Sequence, residues 1–368
     1  MKFLPDQIGS YKEQDVQFLV RDISHVNIEK ETKERESLIQ NGTHYSEMLP
    51  VEFQPNEEYI KLFHLTLKEY GERIAIAVAV VAEKIVERCG LDHLVLASLA
   101  RAGTPIGVLI KRYIQFKFQK DIPHYSISII RGRGIDETAI DYIFEHNPGA
   151  IVQFVDGWTG KGAITKELQE ACDLYNATHE NKLDAELAVL ADPGYCVSIF
   201  GTREDFLIPS ACLNSTVSGL VSRTVLNHRF MDEGDFHGAK YYKELADADV
   251  SNLYIDIVAS YYPSIGEAVD KQLEILKKEF VEPTWRGMQS VEAIKQVYDI
   301  SNTHYIKPGV GETTRVLLRR VPWKILVNPK FDHDLTHIYM LAKERGVPVE
   351  TYSNMTYSCC GIIKELEA

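Results

Sequence analysis

The chain has 368 residues, 45% hydrophobic and 25% charged, enough to bury a sizeable core in two domains. A formal charge of −13 excludes broad nonspecific attraction to nucleic acid, and no apolar run approaches the roughly 18 to 20 residues of a membrane span. Six cysteines, at 89, 172, 196, 212, 359 and 360, show no CxxC and no Cys/His ligand spacing, so they read as free thiols of a cytoplasmic protein.

The elements follow in chain order. Met1 to Asp15 lacks a basic-then-apolar signal. A strand at Val16–Val20 and a charged helix around Lys30–Ile39 precede two helices, one from Asn56 and one over Glu72–Arg88 that stops before Gly90. Four apolar runs then read as buried strands: His93–Leu99, His124–Ile130, Ala150–Val155 and Leu187–Ala191. Helices alternate with them, which predicts an α/β fold with a parallel sheet flanked by helices. Residues 209 to 280 read as mainly helical, including a helix over Pro209–Leu226, and 281 to 308 as a linker. Beyond it come helix Gly311–Arg320, strand Lys324–Val327, helix Asp334–Arg345, strand Val349–Tyr352 and helix Ser358–Leu366. The expected division is 1–280, a linker 281–308, and a small α/β domain 309–368. The segment 311–368 holds 8 Lys+Arg against 7 Asp+Glu, free of the acidic excess elsewhere and so permissive for RNA.

In parallel sheets ligands bind at the carboxyl ends of the strands, where the Gly, Arg and Asp residues of this sequence collect. The strongest signal is VQFVDGWTGKGAI, Val152–Ile164. Asp156 leaves a buried strand, and Gly157, Thr159, Gly160, Lys161 and Gly162 offer amides, a hydroxyl and a cation to a phosphate. The competing explanation is a tight turn that needs glycine only for shape. The second signal is Leu96–Gly107, where Arg101, Ala102, Gly103 and Thr104 form another strand-to-helix turn able to grip an anion. The third is Arg131-Gly132-Arg133-Gly134, either a mobile cationic clamp or an exposed basic turn. Asp192 ends the fourth strand. Trp158 stands where it could stack on a base. Asn214, Ser218 and Arg223 share a polar stripe at helical spacing, either a solvated face or the acceptor side of a pocket.

The order of these loops resembles the phosphoribosyltransferase core. That resemblance implies Arg101, Arg131, Arg133 and Asp156 as catalytic groups, a phosphate and ribose site at 102–104 and 156–162, and a sugar-phosphate or nucleotide-like substrate with Mg2+ held through its diphosphate. The sequence departs from that core in carrying Gly157 after Asp156, where two acidic residues usually precede a longer loop. Over nearly its full length the chain also resembles the stress-associated proteins encoded beside tellurium-resistance genes, described both as phosphoribosyltransferase-like and as the cysteine protease StiP. The segments GTHYSEMLP (42–50), SLARAGTPIG, IIRGRGID, VDGWTGKGAI and Asp205–Thr224 carry that likeness. Residues Gly311–Lys364 resemble Pelota-type RNA-binding domains, which implies RNA as a partner. The reading these likenesses favour is a phosphoribosyltransferase-like enzyme glycosylating an unknown acceptor. One alternative is a cysteine protease built on Cys196 with His228 or His237, or on Cys359 or Cys360. Another is a nucleotide- or RNA-binding protein without catalysis.

Overall fold

A computed structural model describes residues 4–52, 54–279 and 282–364. The uninterrupted apolar runs become the centre of a six-stranded sheet. Its order is Gln17–Phe18, His124–Ile127, Leu94–Leu99, Ile151–Trp158, Leu187–Ala191, Ile199–Thr202, with every pairing parallel. Leu94–Leu99 and Leu187–Ala191 are buried at every residue, as expected of strands covered by helices on both faces. The fold class read from the sequence therefore holds: a parallel sheet flanked by helices, with a small C-terminal α/β domain beside it. No helix among the described residues is long and apolar enough to cross a membrane.

Four expectations differ from the structure. The two helices expected before the sheet are one, Glu57–Cys89, capped by Asn56, whose side chain accepts from the Tyr59 amide at 3.0 Å. Gly71 does not break it, because the missing side chain leaves room for the Tyr261 ring. Residues 209–226 form no α-helix, only the 3-10 turns Pro209–Ala211 and Ser215–Val217. Hydroxyls there take backbone partners that a helix would need: Ser218 donates to the Asn214 carbonyl (2.8 Å) and Ser222 to that of Arg223 (2.6 Å). Between 227 and 308, α-helix among the described residues is confined to Ser251–Ala259, Gly266–Leu276 and the stretch Arg286–Val297 inside the expected linker. The linker's first residue, Val281, and its neighbour Phe280 lie outside the described residues.

The last expected helix is instead the strand Cys359–Ile363, with its final residues beyond those described. It sits inside the second sheet, in the order Ile306–Pro308, Cys359–Ile363, Pro322–Val327, Val349–Thr351. Cys359, Cys360, Gly361 and Ile362 are buried, and Gly361 admits Val316 of the helix Val310–Arg319 against it. An apolar run of this length suits a buried strand as well as a helix, and pairing on both sides decides the outcome. Val310, Leu317, Ile325 and Leu335 of this small domain belong to the same hydrophobic core as the large sheet.

Candidate active site

The carboxyl ends of three central strands form one rim. At its middle, Asp156 and Gly157 lie under the turn Ala102–Gly103. A side chain at Gly103 would overlap the Val155 carbonyl, and one at Gly157 would stand 3.1 Å from the Ala102 carbonyl. Thr104 turns inward and shares a 2.7 Å hydrogen bond with Ser126. Burial pushes the Asp156 carboxyl up to about 7, with the Gly157 amide, donating at 2.7 Å, the one opposing influence. A buried acid raised in this way adds stability below its unfolded value near 4 and loses it as pH rises through 7. Asp156→Asn is therefore expected to stabilise the fold at pH 8, by up to on the order of 4 kcal/mol, and to be nearly neutral at pH 4. Urea titrations at the two pH values check this, and equal midpoint shifts would contradict it.

The glycine-rich loop is packed shut. Lys161 donates to the carbonyls of Thr303 (2.8 Å) and Ile306 (3.4 Å), so its ammonium fastens the small domain to the large one. Burial and the neighbouring Lys307 lower it to about 8. Tyr357 donates to the Gly160 carbonyl at 2.9 Å. Gly162 has φ +77°, and a side chain there would overlap the Trp285 ring and approach Cys196 Sγ at 2.9 Å. Trp158, half-buried, lies beneath the Arg315 guanidinium at 5.4 Å from its ring centre.

Beneath this cover is a buried polar knot. Asp192, at the end of Leu187–Ala191, accepts from Thr159 Oγ1 (2.6 Å) and from the Cys196 amide (2.8 Å), with Arg203 Nε 3.7 Å away. Burial raises Asp192 to about 6, while the Thr159 hydroxyl and the amides of Cys196 and Val197 hold it down. Cys196 Sγ faces the Gly160 carbonyl at 3.9 Å, and the residue is 1% exposed. Burial and then Asp192 drive its thiol up to about 12, against the weaker pull of Thr159 and Lys166.

The basic loop is also tied down. Glu167 accepts from the amides of Gly132 (2.7 Å) and Gly134 (2.8 Å), Arg133 pairs with Glu47 at 2.5 Å, and the Arg131 amide donates to the Tyr45 hydroxyl at 2.8 Å. Arg223 donates to the carbonyls of Tyr45 and Met48, both at 2.8 Å. Arg101 pairs with Glu52 at 3.6 Å and lines a separate cleft together with Asn214. Ser218 is buried. The structure thus brings Thr159, Gly160, Gly162, Asp192 and Cys196 together, and places Arg101, Asn214 and Arg223 apart from them. His237, one of the imidazoles expected as a partner for Cys196, has Nδ1 2.8 Å from Ser128 Oγ, and its backbone amide donates to Asp136 at 2.7 Å. Trp285 and Tyr357, which cover the site, carry no sequence signal of that role.

Residues 9–259 match the family model described as "Tellurite-like stress resistance cysteine protease StiP". The chain belongs to the StiP family. It is 33% identical over 370 residues to the cysteine protease StiP of Acinetobacter baylyi (strain ATCC 33305 / BD413 / ADP1), covering 97% of this chain and 94% of that one. Residues 285–365 match the model described as "PELOTA RNA binding domain". These findings correct the transferase reading and the glycosyltransferase chemistry attached to it, because family and relative alike are named for cysteine proteolysis. Two glycines of the loop give the physical reason the sequence misled: Gly162 packs against Trp285 and Cys196 Sγ and Gly157 against the Ala102 carbonyl, while Gly160 has open space beside it.

Proposed function

We propose that this chain is a cytoplasmic cysteine protease whose nucleophile is the Cys196 thiol. The observation that carries the reading is the StiP match, whose span contains Cys89, Cys172, Cys196 and Cys212 and leaves out Cys359 and Cys360. Of those four, Cys196 stands at the carboxyl rim of the sheet, among Thr159, Asp192 and the glycines of two loops. Cys89 lies at the opposite end of the sheet, 3.8 Å from Gln153, near the start of its strand. Cys172 is buried inside the helix Ala163–Thr178, its thiol pushed up to about 12 by burial. Cys212 is buried behind the turn Pro209–Ala211. The chemistry is attack of the thiolate on a peptide carbonyl, loss of the amine, and hydrolysis of the thioester. In the resting fold Cys196 is a neutral, covered thiol, so turnover requires Trp285 to swing away and a base to reach the sulfur. The test is digestion of an unfolded protein by the full chain and by its Cys196→Ser variant. Cleavage that the substitution leaves untouched in a folded variant would sink the reading.

The C-terminal domain is the RNA-binding part of the proposal, supported by its PELOTA match and by an aromatic edge. Trp323 is 40% exposed, with Lys324 Nζ 4.4 Å from its ring centre and Tyr298 set edge-on at 6.4 Å. Unpaired bases stack on such rings beside a cation, each worth about 1–3 kcal/mol. Trp323→Ala is expected to weaken binding of a single-stranded RNA by about tenfold in filter binding, with protease activity unchanged.

A further inference from the structure

A groove of about 680 Å3 runs between the first turns of the helix Glu57–Cys89 and the helix Thr336–Glu344 of the small domain. None of its lining residues belongs to the Cys196 rim or to the Trp323 edge. One wall is a single stripe: Glu58, Leu62, Leu65 and Glu69 recur at i, i+4, i+7 and i+11 and so share a face of the long helix. The facing wall presents His337, Met340, Leu341 and Glu344 at the same kind of spacing. Leu65 is 60% exposed and Met340 66%, so each wall leaves an apolar side chain facing water. The open charges along the groove have one sign. The carboxylates of Glu58, Glu69 and Glu344 make no ion pair or hydrogen bond among the described residues. The positive groups of the lining are engaged or neutral. Lys61 is held by Glu57 at 3.5 Å, and His333 stands 3.4 Å from Asp334. Asp334 is itself paired with Arg73 at 3.2 Å and accepts from the Tyr70 hydroxyl at 3.3 Å. Burial lowers His337 to about 4, which leaves its ring uncharged at neutral pH.

We propose that this groove docks a basic amphipathic helix of a partner protein, its apolar face laid on Leu62, Leu65, Met340 and Leu341 and its Lys or Arg side chains reaching Glu58, Glu69 and Glu344. The stripe from Glu58 to Glu69 covers about 16 Å of helix axis, the length of a segment of about three turns. An extended peptide would need a free sheet edge to pair with, whereas both walls are helices whose backbone bonds are internal. A second copy of this chain, with its net charge of −13, would bring like charge to the three carboxylates. The walls come from the portions matched at 9–259 and at 285–365, so the docked helix spans the seam between them. The proposal depends on neither the protease nor the RNA reading.

The experiment is fluorescence anisotropy on the full-length chain, at physiological salt, with a labelled helical peptide of Leu and Lys and with its Leu and Glu counterpart. The Lys peptide is expected to bind at least about tenfold more tightly than the Glu peptide. Leu65→Gln combined with Met340→Gln should weaken it by about tenfold or more at an unchanged melting temperature, since both side chains face solvent. If that double variant unfolds, Met340→Gln alone should still weaken binding severalfold. Glu58→Gln with Glu69→Gln and Glu344→Gln should also cost about tenfold. The same change at Glu170, Glu180 and Glu274, exposed and outside the groove, should leave binding as it is. Equal binding of the two peptides, full binding in the folded Leu65 and Met340 variants, or equal losses from the two glutamate sets would overturn the proposal, the last by reducing it to net charge. Self-association in sedimentation that Leu65→Gln with Met340→Gln abolishes would assign the groove to a second copy and overturn it as well.

Discussion

Cys196→Ala is expected to remove peptidase activity by about a thousandfold or more, since no second group can take over a covalent nucleophile's step. The fold should survive, because the Cys196 contact with Asp192 runs through its backbone amide and the side chain adds only packing and one long 3.9 Å contact with the Gly160 carbonyl. Trp285→Ala is the companion measurement. With the indole gone from above Gly162, water reaches the sulfur and the thiol's ordinary acidity begins to return. Alkylation of Cys196 at pH 8 should then quicken by about tenfold or more. A full loss of cleavage together with faster labelling would identify the nucleophile and its cover. Full activity in Cys196→Ala would transfer the role to another thiol.

The second large effect concerns stability. Asp205 is buried where the two domains meet, and each of its oxygens accepts one amide from the small domain, Val310 at Oδ1 and Ser358 at Oδ2, both at 2.8 Å. The Val310 amide opens the helix Val310–Arg319, so the carboxylate also meets the positive end of that helix. Burial raises Asp205 to about 6 while these amides pull it down, which leaves it mainly ionised and accepting at pH 7. Asp205→Ala strands both donors in an apolar interior and is expected to cost about 3–5 kcal/mol. Urea unfolding measures this directly. A loss below about 1 kcal/mol would mean that the interface repacks around the gap.

Much of the fold was legible because buried parallel strands appear as unbroken apolar runs, as Leu187–Ala191 does to the residue. The segment 209–226 misled because Ser, Thr and Asn at helical spacing are also the residues whose hydroxyls and amides displace helical hydrogen bonds, as Ser218 and Ser222 do. At the rim the sequence located the loops but not their contents. Glycines at 157 and 162 suit anion cradles and close packing equally, and the deciding partners come from far along the chain: Tyr357 is 197 residues from Gly160. Cys196 was visible as a rival nucleophile, whereas the engagement of His237 with Ser128 and Asp136 is a tertiary fact with no local signature.

The shared core bears on how the molecule comes apart. The StiP match ends at residue 259 and the PELOTA match begins at 285, as though two portable pieces had been joined. Yet Val310, Leu317, Ile325 and Leu335 pack into the same apolar cluster as the strands of the large sheet, and Lys161 and Asp205 reach across the seam to backbone groups. Neither piece can lose its partner without exposing its own interior to water. The two parts are therefore expected to melt as one cooperative unit, and excising residues 285–365 to destabilise the remainder.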